Sequence, residues 1–211
     1  MLVIPIHPAL ARITKRAVKC VEENTKNHEL IIVLNGFSER LPLDVKQVRL
    51  PGRVSVAKAY NDGFKAASGD IYCCLHNDTE VSEGWAAPLV KEAMRGNIAF
   101  PDAWEPNPEA RGISPRPEWC PPGCCFMLSE MLFNSLGGFD ERFEDFHYED
   151  IDLFLRAHQH GARLKRCDVT VLHHRGASRC FVEDKGDRIL ARNTRIFYEK
   201  HGRVNFPTME A

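Results

Sequence analysis

Along the first half of the chain, short continuous apolar runs alternate with segments of helical periodicity. The clearest runs are LVIPI at 2–6, ELIIVLN at 29–35 and IYCCL at 71–75. Apolar runs without polar alternation are typical of strands that helices cover on both faces. Helical spacing of apolar residues is present in ARITKRAVKCVEEN at 11–24 and in SVAKAYNDGFKAASG at 55–69. This alternation predicts an α/β fold with a mostly parallel, doubly wound sheet.

A proline-rich segment at 102–122 interrupts the alternation. It holds six prolines and shows little periodicity, so we expect a binding loop or a segment without fixed structure. The chain then resumes with a strand (GCCFMLS), two helices (EMLFNSLGG and YEDIDLFLRAHQHG), a strand (ARLKRCDVTVLHH) and a basic helix (DRILARNTRIFYEKHG). We interpret the basic helix as packed by its apolar face, with a homodimer contact or an anionic partner as the alternatives.

Charge and hydrophobicity narrow the class of protein. The 211 residues carry a formal net charge of −1, which gives no global attraction to nucleic acid or anionic lipid. No apolar stretch approaches the roughly 20 residues that a transmembrane segment needs, and the N-terminal MLVIPIHPALARITKR lacks the long apolar core of a signal peptide. The eight cysteines include no CxxC pair, so we interpret them as buried thiols in a reducing compartment. A cytoplasmic protein is expected, with peripheral attachment to a membrane as an alternative.

Polar clusters follow three of the predicted strands, and in open α/β sheets ligands bind at that edge. The clusters are Asn35, Gly36 and Ser38; His76, Asn77 and Asp78; and His173 and His174. A hard divalent cation prefers oxygen ligands, and an imidazole among the ligands favours Mn²⁺. The edge therefore suggests a site for a cation and a phosphate-bearing ligand. Because adjacent residues of a strand point to opposite faces, His173 and His174 are not expected to share one ion.

The stretch HYEDIDLFLR at 147–156 carries three carboxylates, Glu149, Asp150 and Asp152, at the start of a predicted helix. Acids in a first helical turn are stabilised by the helix dipole, by about 0.3–1 kcal/mol each. Asp152 has a second structural role available, because Arg156 lies four residues later on the same helix face. From this motif alone, a structural role is at least as well supported as a catalytic one.

Four blocks of the sequence, taken together, resemble a known family. They are VIPIHPALARITKRAVKCVEENT, ELIIVLNGFSE, SVAKAYNDGFKAASGDIYCCLHNDTEV and PGCCFMLSEMLFNSLGGFDERFEDFHYEDIDLFLRAHQHGARL. In order and spacing they are similar to family 2 glycosyltransferases of the GT-A fold, especially the bacterial rhamnosyltransferase-like branch. The last block is the most specific, with Gly-Gly-Phe-Asp-Glu followed by Glu-Asp-x-Asp-Leu. The resemblance implies a Rossmann-like, mixed, mostly parallel sheet flanked by helices, in a single domain over 1–211.

The resemblance also implies a reaction and its catalytic groups. A sugar would move from a nucleotide-diphosphate sugar to an acceptor hydroxyl or amine, with inversion at the anomeric centre. Asp150 matches the family's general base, and such a base typically contributes about 10²–10⁴-fold to the rate. Asp78 matches the last acid of the family's metal-binding motif. His173 and His76 are expected to complete the shell around Mn²⁺ or Mg²⁺.

For the substrates, the resemblance implies a UDP-, dTDP- or GDP-linked donor and an acceptor that is a glycan, a lipid-linked sugar, a protein or a nucleic acid. The expected donor contacts are Asn35, Ser38, Asn61, Asn77 and Gly123. The expected acceptor or sugar contacts are Glu149, Trp104 and Trp119, with core or loop packing as the alternative for both tryptophans. The implied organisation is a nucleotide-sugar and metal half at 1–101, a variable loop at 102–122, and an acceptor-binding catalytic half with the C-terminal helix at 123–211.

One departure from the family pattern leaves an alternative function. The motif His76-Asn77-Asp78 offers a single acid where many relatives have two, as expected for a catalytically degenerate relative that binds a nucleotide or carbohydrate without turnover. The intact Glu149-Asp150-x-Asp152 motif favours the active enzyme. A sugar nucleotidyltransferase is disfavoured, because IHPALARITKR has no glycine after the first strand. A purely structural protein would leave the ordered polar strand ends unexplained.

Overall fold

A computed structural model of the chain describes residues 1–3, 10–36, 39–105, 121–174 and 186–203. The described residues form six helices: α1 (Ala11–Asn24), α2 (Val56–Phe64), α3 (Ala86–Met94), α4 (Glu130–Ser135), α5 (Glu149–Gln159) and α6 (Gly186–His201). They also form eight strands: β1 (Leu2–Val3), β2 (Ile31–Leu34), β3 (Lys46–Arg49), β4 (Ile71–Leu75), β5 (Thr79–Glu80), β6 (Ile98–Trp104), β7 (Cys125–Ser129) and β8 (Leu164–His173).

The eight strands form one sheet in the order β3-β2-β1-β4-β7-β6-β8-β5. Strand β1 pairs in parallel with β2 and β4, β2 with β3, and β6 with β8. Strand β7 runs antiparallel between β4 and β6, and the short β5 runs antiparallel to β8. The predicted mixed, mostly parallel α/β sheet is therefore confirmed.

Strand β2 shows why the sheet is covered on both faces. All four of its side chains are fully buried. Ile31 and Val33 belong to one hydrophobic cluster of the core, whereas Ile32 and Leu34 belong to the other. Since successive side chains of a strand point to opposite faces, a continuous apolar run supplies both layers at once.

The parallel strands end at a common edge of the sheet, which we call the carboxyl edge. Strand β7 starts at this edge, because Cys125 pairs with Leu75 at the end of β4. The backbone N–H of His76, directly after β4, donates to the carbonyl of Cys124 at 2.8 Å. The polar residues that follow β2, β4, β6 and β8 are thereby gathered at one side of the molecule.

Two boundaries differ from the sequence expectations. Strand β6 continues through Trp104, so the first three residues of the segment expected to be a loop at 102–122 are strand. They extend it because Asp102, Ala103 and Trp104 pair with β8 after a register shift. Helix α2 ends at Phe64 rather than continuing to residue 69, and the backbone N–H groups of Ala66 and Ala67 close its last turn.

None of the described helices combines the length and apolarity needed to cross a bilayer.

Candidate active site

Three predicted metal ligands converge at the carboxyl edge. His76, Asp78 and His173 each offer a ligand atom, and these atoms all lie within 4.8 Å of one another. His173 Nε2 lies 3.4 Å from Asp78 Oδ1, and His76 Nδ1 lies 4.0 Å from the same oxygen. We call these three residues the histidine–aspartate cluster.

The short strand β5 brings the cluster together, and the sequence analysis did not predict it. Thr79 of β5 pairs with His173 of β8, and the backbone N–H of His174 donates to the carbonyl of Asp78 at 2.9 Å. The pairing joins residues that are almost one hundred positions apart. A two-residue strand has too little periodicity to be recognised from sequence.

Burial and charge act in opposite directions on the cluster. Burial raises the pKa of Asp78, but the ion pair with His173 and the nearby His76 lower it by more than burial raises it. The pKa of Asp78 is therefore below its usual value. For His173, burial lowers the pKa, whereas Cys124 and Asp78 together raise the pKa to about 11. The folded chain thus stabilises the charged forms of both groups.

The donor set fits a divalent cation. Asp78 Oδ1 is buried and accepts no hydrogen bond from the residues that the structure describes, although His173 Nε2 lies 3.4 Å away. A buried carboxylate oxygen without such a bond is costly, and a cation between this oxygen and two imidazoles would offset that cost. Metal binding requires a neutral imidazole, so a proton would leave His173 on binding.

Glu105 is a further member of the site that the sequence analysis missed. Its Oε1 lies 3.2 Å from Nδ1 of His173. A carboxylate on one imidazole nitrogen orients the ring and leaves the other nitrogen for a metal. Glu105 directly follows β6, so its position after a strand was the available signal. His174 instead contacts Glu80 at 2.6 Å, so the two adjacent histidines have different carboxylate partners.

The predicted base, Asp150, lies in the first turn of α5. It is buried with 5% of its surface exposed, and its Oδ1 accepts a hydrogen bond from the N–H of Ile151 at 2.8 Å. Burial raises the pKa of the Cys74 thiol well above its usual value, and the charges of neighbouring groups, among them Asp150 and Glu149, raise it further. Helix α5 packs beside β4, because the ring of Phe154 lies 4.9 Å from that of Phe126 in β7, the strand paired with β4.

The loop that enters α5 has an unusual backbone. Asp145, His147 and Tyr148 have φ angles of 49°, 79° and 72°. Positive φ is uncommon for residues other than glycine and costs about 1–3 kcal/mol each. Tyr148 is the N-cap of α5 and has no side-chain capping bond. Strained backbone of this kind clusters at functional sites, which supports a role for the residues that follow.

Asp152 has the structural role that its spacing suggested. It is fully buried, and its Oδ2 accepts from Nε of Arg156 at 2.7 Å. Its other oxygen, Oδ1, contacts Lys200 Nζ at 2.6 Å and His201 Nε2 at 2.7 Å. The pairing with Arg156 is confirmed, whereas the two contacts from α6 were not foreseen.

Two residues predicted to bind the donor, Asn35 and Asn61, form hydrogen bonds that hold loops together. Asn35 is fully buried and exchanges hydrogen bonds with the backbone of Val54, at 2.9 and 2.8 Å. The amide nitrogen of Asn61 donates to Phe139 O at 2.9 Å and to Glu141 Oε1 at 3.0 Å, and its oxygen accepts from Phe139 N–H at 2.9 Å. The side-chain amides of both residues bond to neighbouring loops, and the donor contacts expected of Asn35 and Asn61 stay predictions.

The other predicted contacts are distributed around the same edge. Asn77 is buried and donates to Thr14 at 3.4 Å, and Gly123 is buried in the turn before β7. Trp104, at the end of β6, is 58% exposed. Ser38 and Trp119 lie outside the described residues.

A separate cleft of about 710 Å³ lies at the opposite edge of the sheet. Its lining is Pro88, Lys91, Glu92, Arg95, Asn97, Gly161, Arg163, Lys165, Arg166 and Cys167. Two of its basic groups are paired, Arg95 with Glu92 and Arg166 with Asp102. None of the predicted site residues lines it, so it is distinct from the candidate active site.

The sequence and the fold were compared with known proteins. The sequence model of glycosyl transferase family 2 matches residues 1–150. The O-antigen biosynthesis protein RfbC of Myxococcus xanthus is 29% identical over 153 residues, or 56% of this chain. The probable polypeptide N-acetylgalactosaminyltransferase 8 of Homo sapiens is 32% identical over 74 residues, or 33% of this chain. The matched region spans only 12% of the length of each of these two relatives.

Solved structures with the same fold are glycosyltransferases of the GT-A type. GalNAc-T7 with UDP, GalNAc and Mn²⁺ superposes with a TM-score of 0.64 at 17% identity, covering 82% of this chain and 43% of that one. The mannosyltransferase PcManGT of Pyrobaculum calidifontis, with GDP-Man and Mn²⁺, gives a TM-score of 0.58 at 13% identity, covering 96% and 75%. At these identities the likeness establishes the fold. Because the sequence model covers most of its length, the chain belongs to glycosyl transferase family 2.

Proposed function

We propose that the chain transfers a sugar from a nucleotide-diphosphate sugar to an acceptor hydroxyl or amine, with inversion at the anomeric centre. One observation carries the proposal: the histidine–aspartate cluster lies after β4 and at the end of β8, and α5, which begins with the buried Asp150, packs on β7, the strand paired with β4. A cation site beside a buried carboxylate suits a reaction in which a diphosphate departs while an acceptor loses a proton. Membership of the family supports the same reaction class.

In the proposed mechanism, Asp150 acts on the acceptor. Its carboxylate accepts the proton of the acceptor O–H or N–H while the acceptor atom forms a bond to the anomeric carbon. The bond from that carbon to the diphosphate oxygen breaks, and its electron pair leaves with the nucleotide. The first turn of α5 favours the charged form of Asp150 before reaction, through the helix dipole and the N–H of Ile151.

His76, Asp78 and His173 are the residues that would hold the cation. When bound, a divalent cation would stabilise negative charge on the departing diphosphate as a Lewis acid. Glu105 would keep the His173 ring oriented through its contact with Nδ1. Two imidazoles and one carboxylate favour Mn²⁺ over Mg²⁺, which prefers an all-oxygen shell. The structures of GalNAc-T7 and PcManGT contain Mn²⁺, which supports this choice.

The substrates are proposed at the level of class. GalNAc-T7 was solved with UDP and PcManGT with GDP-Man, so UDP- and GDP-linked sugars are the first donors to test, followed by dTDP-linked ones. The predicted donor contacts remain Asn35, Ser38, Asn61, Asn77 and Gly123. Glu149, Trp104 and Trp119 remain predicted acceptor contacts, and the exposed ring of Trp104 suits stacking on a sugar. The homodimer, the cytoplasmic location and the division at 102–122 stay predictions.

Asp78→Asn is expected to abolish the Mn²⁺-dependent part of nucleotide binding. In the unaltered protein, UDP or GDP at about 100 times its dissociation constant should add about 2.7 kcal/mol of stability in the presence of Mn²⁺. The amide of the variant keeps the shape of the side chain but supplies no negative charge to the cation. Thermal unfolding with each nucleotide, with and without Mn²⁺, measures the difference.

Asp168→Asn is the matched control, since Asp168 is an exposed acid on the same strand as His173. The Mn²⁺-dependent rise in its unfolding temperature with nucleotide should equal that of the unaltered protein. If Asp78→Asn retains the full shift, the histidine–aspartate cluster is not the metal site. The unaltered protein could also bind a nucleotide with Mn²⁺ yet release no free nucleotide from any nucleotide sugar. That result would favour a catalytically degenerate protein that binds a nucleotide or carbohydrate without turnover.

A further inference from the structure

The C-terminal helix α6 holds the entry to α5 through one buried side chain, Asn193. No surface of Asn193 is exposed. Its amide nitrogen donates to the carbonyl oxygens of Glu144 at 2.9 Å, Phe146 at 3.0 Å and His147 at 2.9 Å. Its amide oxygen accepts from the N–H of Glu144 at 3.2 Å. One side chain thus bonds the backbone at three residues of the same loop.

Each of the three carbonyls that Asn193 binds belongs to a residue directly before one with left-handed backbone. His147, whose carbonyl Asn193 binds, has a φ of 79°, and Tyr148 and Asp145 on either side of it are also left-handed. Loops in this conformation turn their carbonyls away from the usual partners, and Asn193 supplies donors for three of them. Since an amide has only two N–H hydrogens, at least one is shared between two carbonyls. Apolar or acidic side chains of similar size could not form this arrangement.

The contacts of α6 continue along one helical stripe. Asn193, Phe197, Lys200 and His201 are separated by four, three and one positions, the spacing of a single helix face. The ring of Phe197 lies 5.1 Å from that of Tyr148, the N-cap of α5. Lys200 and His201 contact the buried Asp152 at 2.6 and 2.7 Å. The helix therefore contacts the start of α5 two residues before and two residues after Asp150.

We propose that Asn193 is a positioning residue, which fixes the left-handed loop 144–148 and thereby aims the carboxylate of Asp150. The inference rests on the proposed function of Asp150 as base. It assigns a role to α6, which lies beyond the residues 1–150 that the family model matches. Asn193 itself touches no substrate in this proposal and acts only through the backbone.

The test uses Asn193→Ala, with Asn24→Ala as the matched control. Asn24 also donates to two backbone carbonyls, those of Cys20 and Val81, but it lies on α1, away from α5. Because small misplacements of a catalytic group cost up to about 100-fold, kcat for nucleotide release should fall about 10–100-fold in Asn193→Ala. The dissociation constant for UDP or GDP with Mn²⁺ should change less than about twofold. Asn24→Ala should leave both quantities unchanged.

Hydrogen exchange gives a measure that does not depend on turnover. Amides of 145–151 should exchange at least about tenfold faster in Asn193→Ala, with α1 and α3 unchanged. If Asn193→Ala does not fold, Phe197→Leu loosens the neighbouring contact of α6 with Tyr148 while keeping the site apolar, and faster exchange of the same amides is expected.

Unchanged exchange in 145–151 would overturn the positioning role, as would a kcat loss that Asn24→Ala reproduces. Absence of turnover in the unaltered protein with every nucleotide sugar would instead refute the proposed function. The exchange measurement would still decide whether Asn193 fixes the loop.

Discussion

Asp150→Asn is expected to lower the rate of nucleotide release by about 10²–10⁴-fold, the contribution of a typical general base. An amide has the shape of the carboxylate but cannot accept the acceptor's proton. Donor binding should be retained, because the cation site is formed by His76, Asp78 and His173 on other elements. The measurement is the steady-state rate at saturating donor and Mn²⁺, with the donor dissociation constant determined by calorimetry.

Glu130→Gln is the control for this substitution. Glu130 is an exposed carboxylate in the first turn of α4, so the substitution removes the same charge from a similar position on another helix. Its rate should equal that of the unaltered protein. Full turnover by Asp150→Asn would remove Asp150 as the base, whereas loss of donor binding would mean that its charge helps to hold the nucleotide sugar.

Much of the fold could be predicted because the strongest sequence signals are those of two-sided burial. The apolar runs at β2, β4 and β7 were recognised since each strand is covered by helices on both faces. The polar residues directly after β4 and β8 were recognised as site candidates by the same logic. The position of a residue relative to a strand end is local information, and the sequence contains it.

Pairing between distant residues could not be predicted in the same way. Strand β5 is two residues long, and its pairing with β8 is what brings Asp78 beside His173. The bonds from Asn193 to 144–147 link residues almost fifty positions apart. Such contacts depend on the order of strands and on where a helix docks, and neither leaves a periodic signal in one sequence.

The direction in which a side chain points could not be predicted from the sequence either. Asn35 and Asn61 were correctly placed after β2 and within α2, but their amides turn inward to Val54 and Phe139. An asparagine near a strand end can bind a ligand or tie down a loop with the same atoms. The position alone does not distinguish the two roles, and only the neighbouring backbone decides between them.

The buried ion cluster around Asp152 leads to the second large expected effect. Asp152 is fully buried and contacts three basic side chains, those of Arg156, Lys200 and His201. Lys200 also reaches Asp140, in the loop before α5, at 2.7 Å. Removing the central acid would deprive three half-buried basic groups of the fully buried carboxylate they share, and breaking a buried ion pair at one partner is strongly destabilising.

Asp152→Ala is expected to lower the free energy of unfolding by about 3–5 kcal/mol, the usual cost of breaking a buried ion pair at one partner. Urea unfolding at pH 7 measures it. The matched control is Glu199→Ala on α6, because Glu199 forms an exposed pair with Arg195 at 3.6 Å and should cost at most about 1 kcal/mol. Equal effects for the two variants would contradict the buried-cluster interpretation. A loss confined to Asp152→Ala would mean that the docking of α6 on α5 is a major source of stability around Asp150.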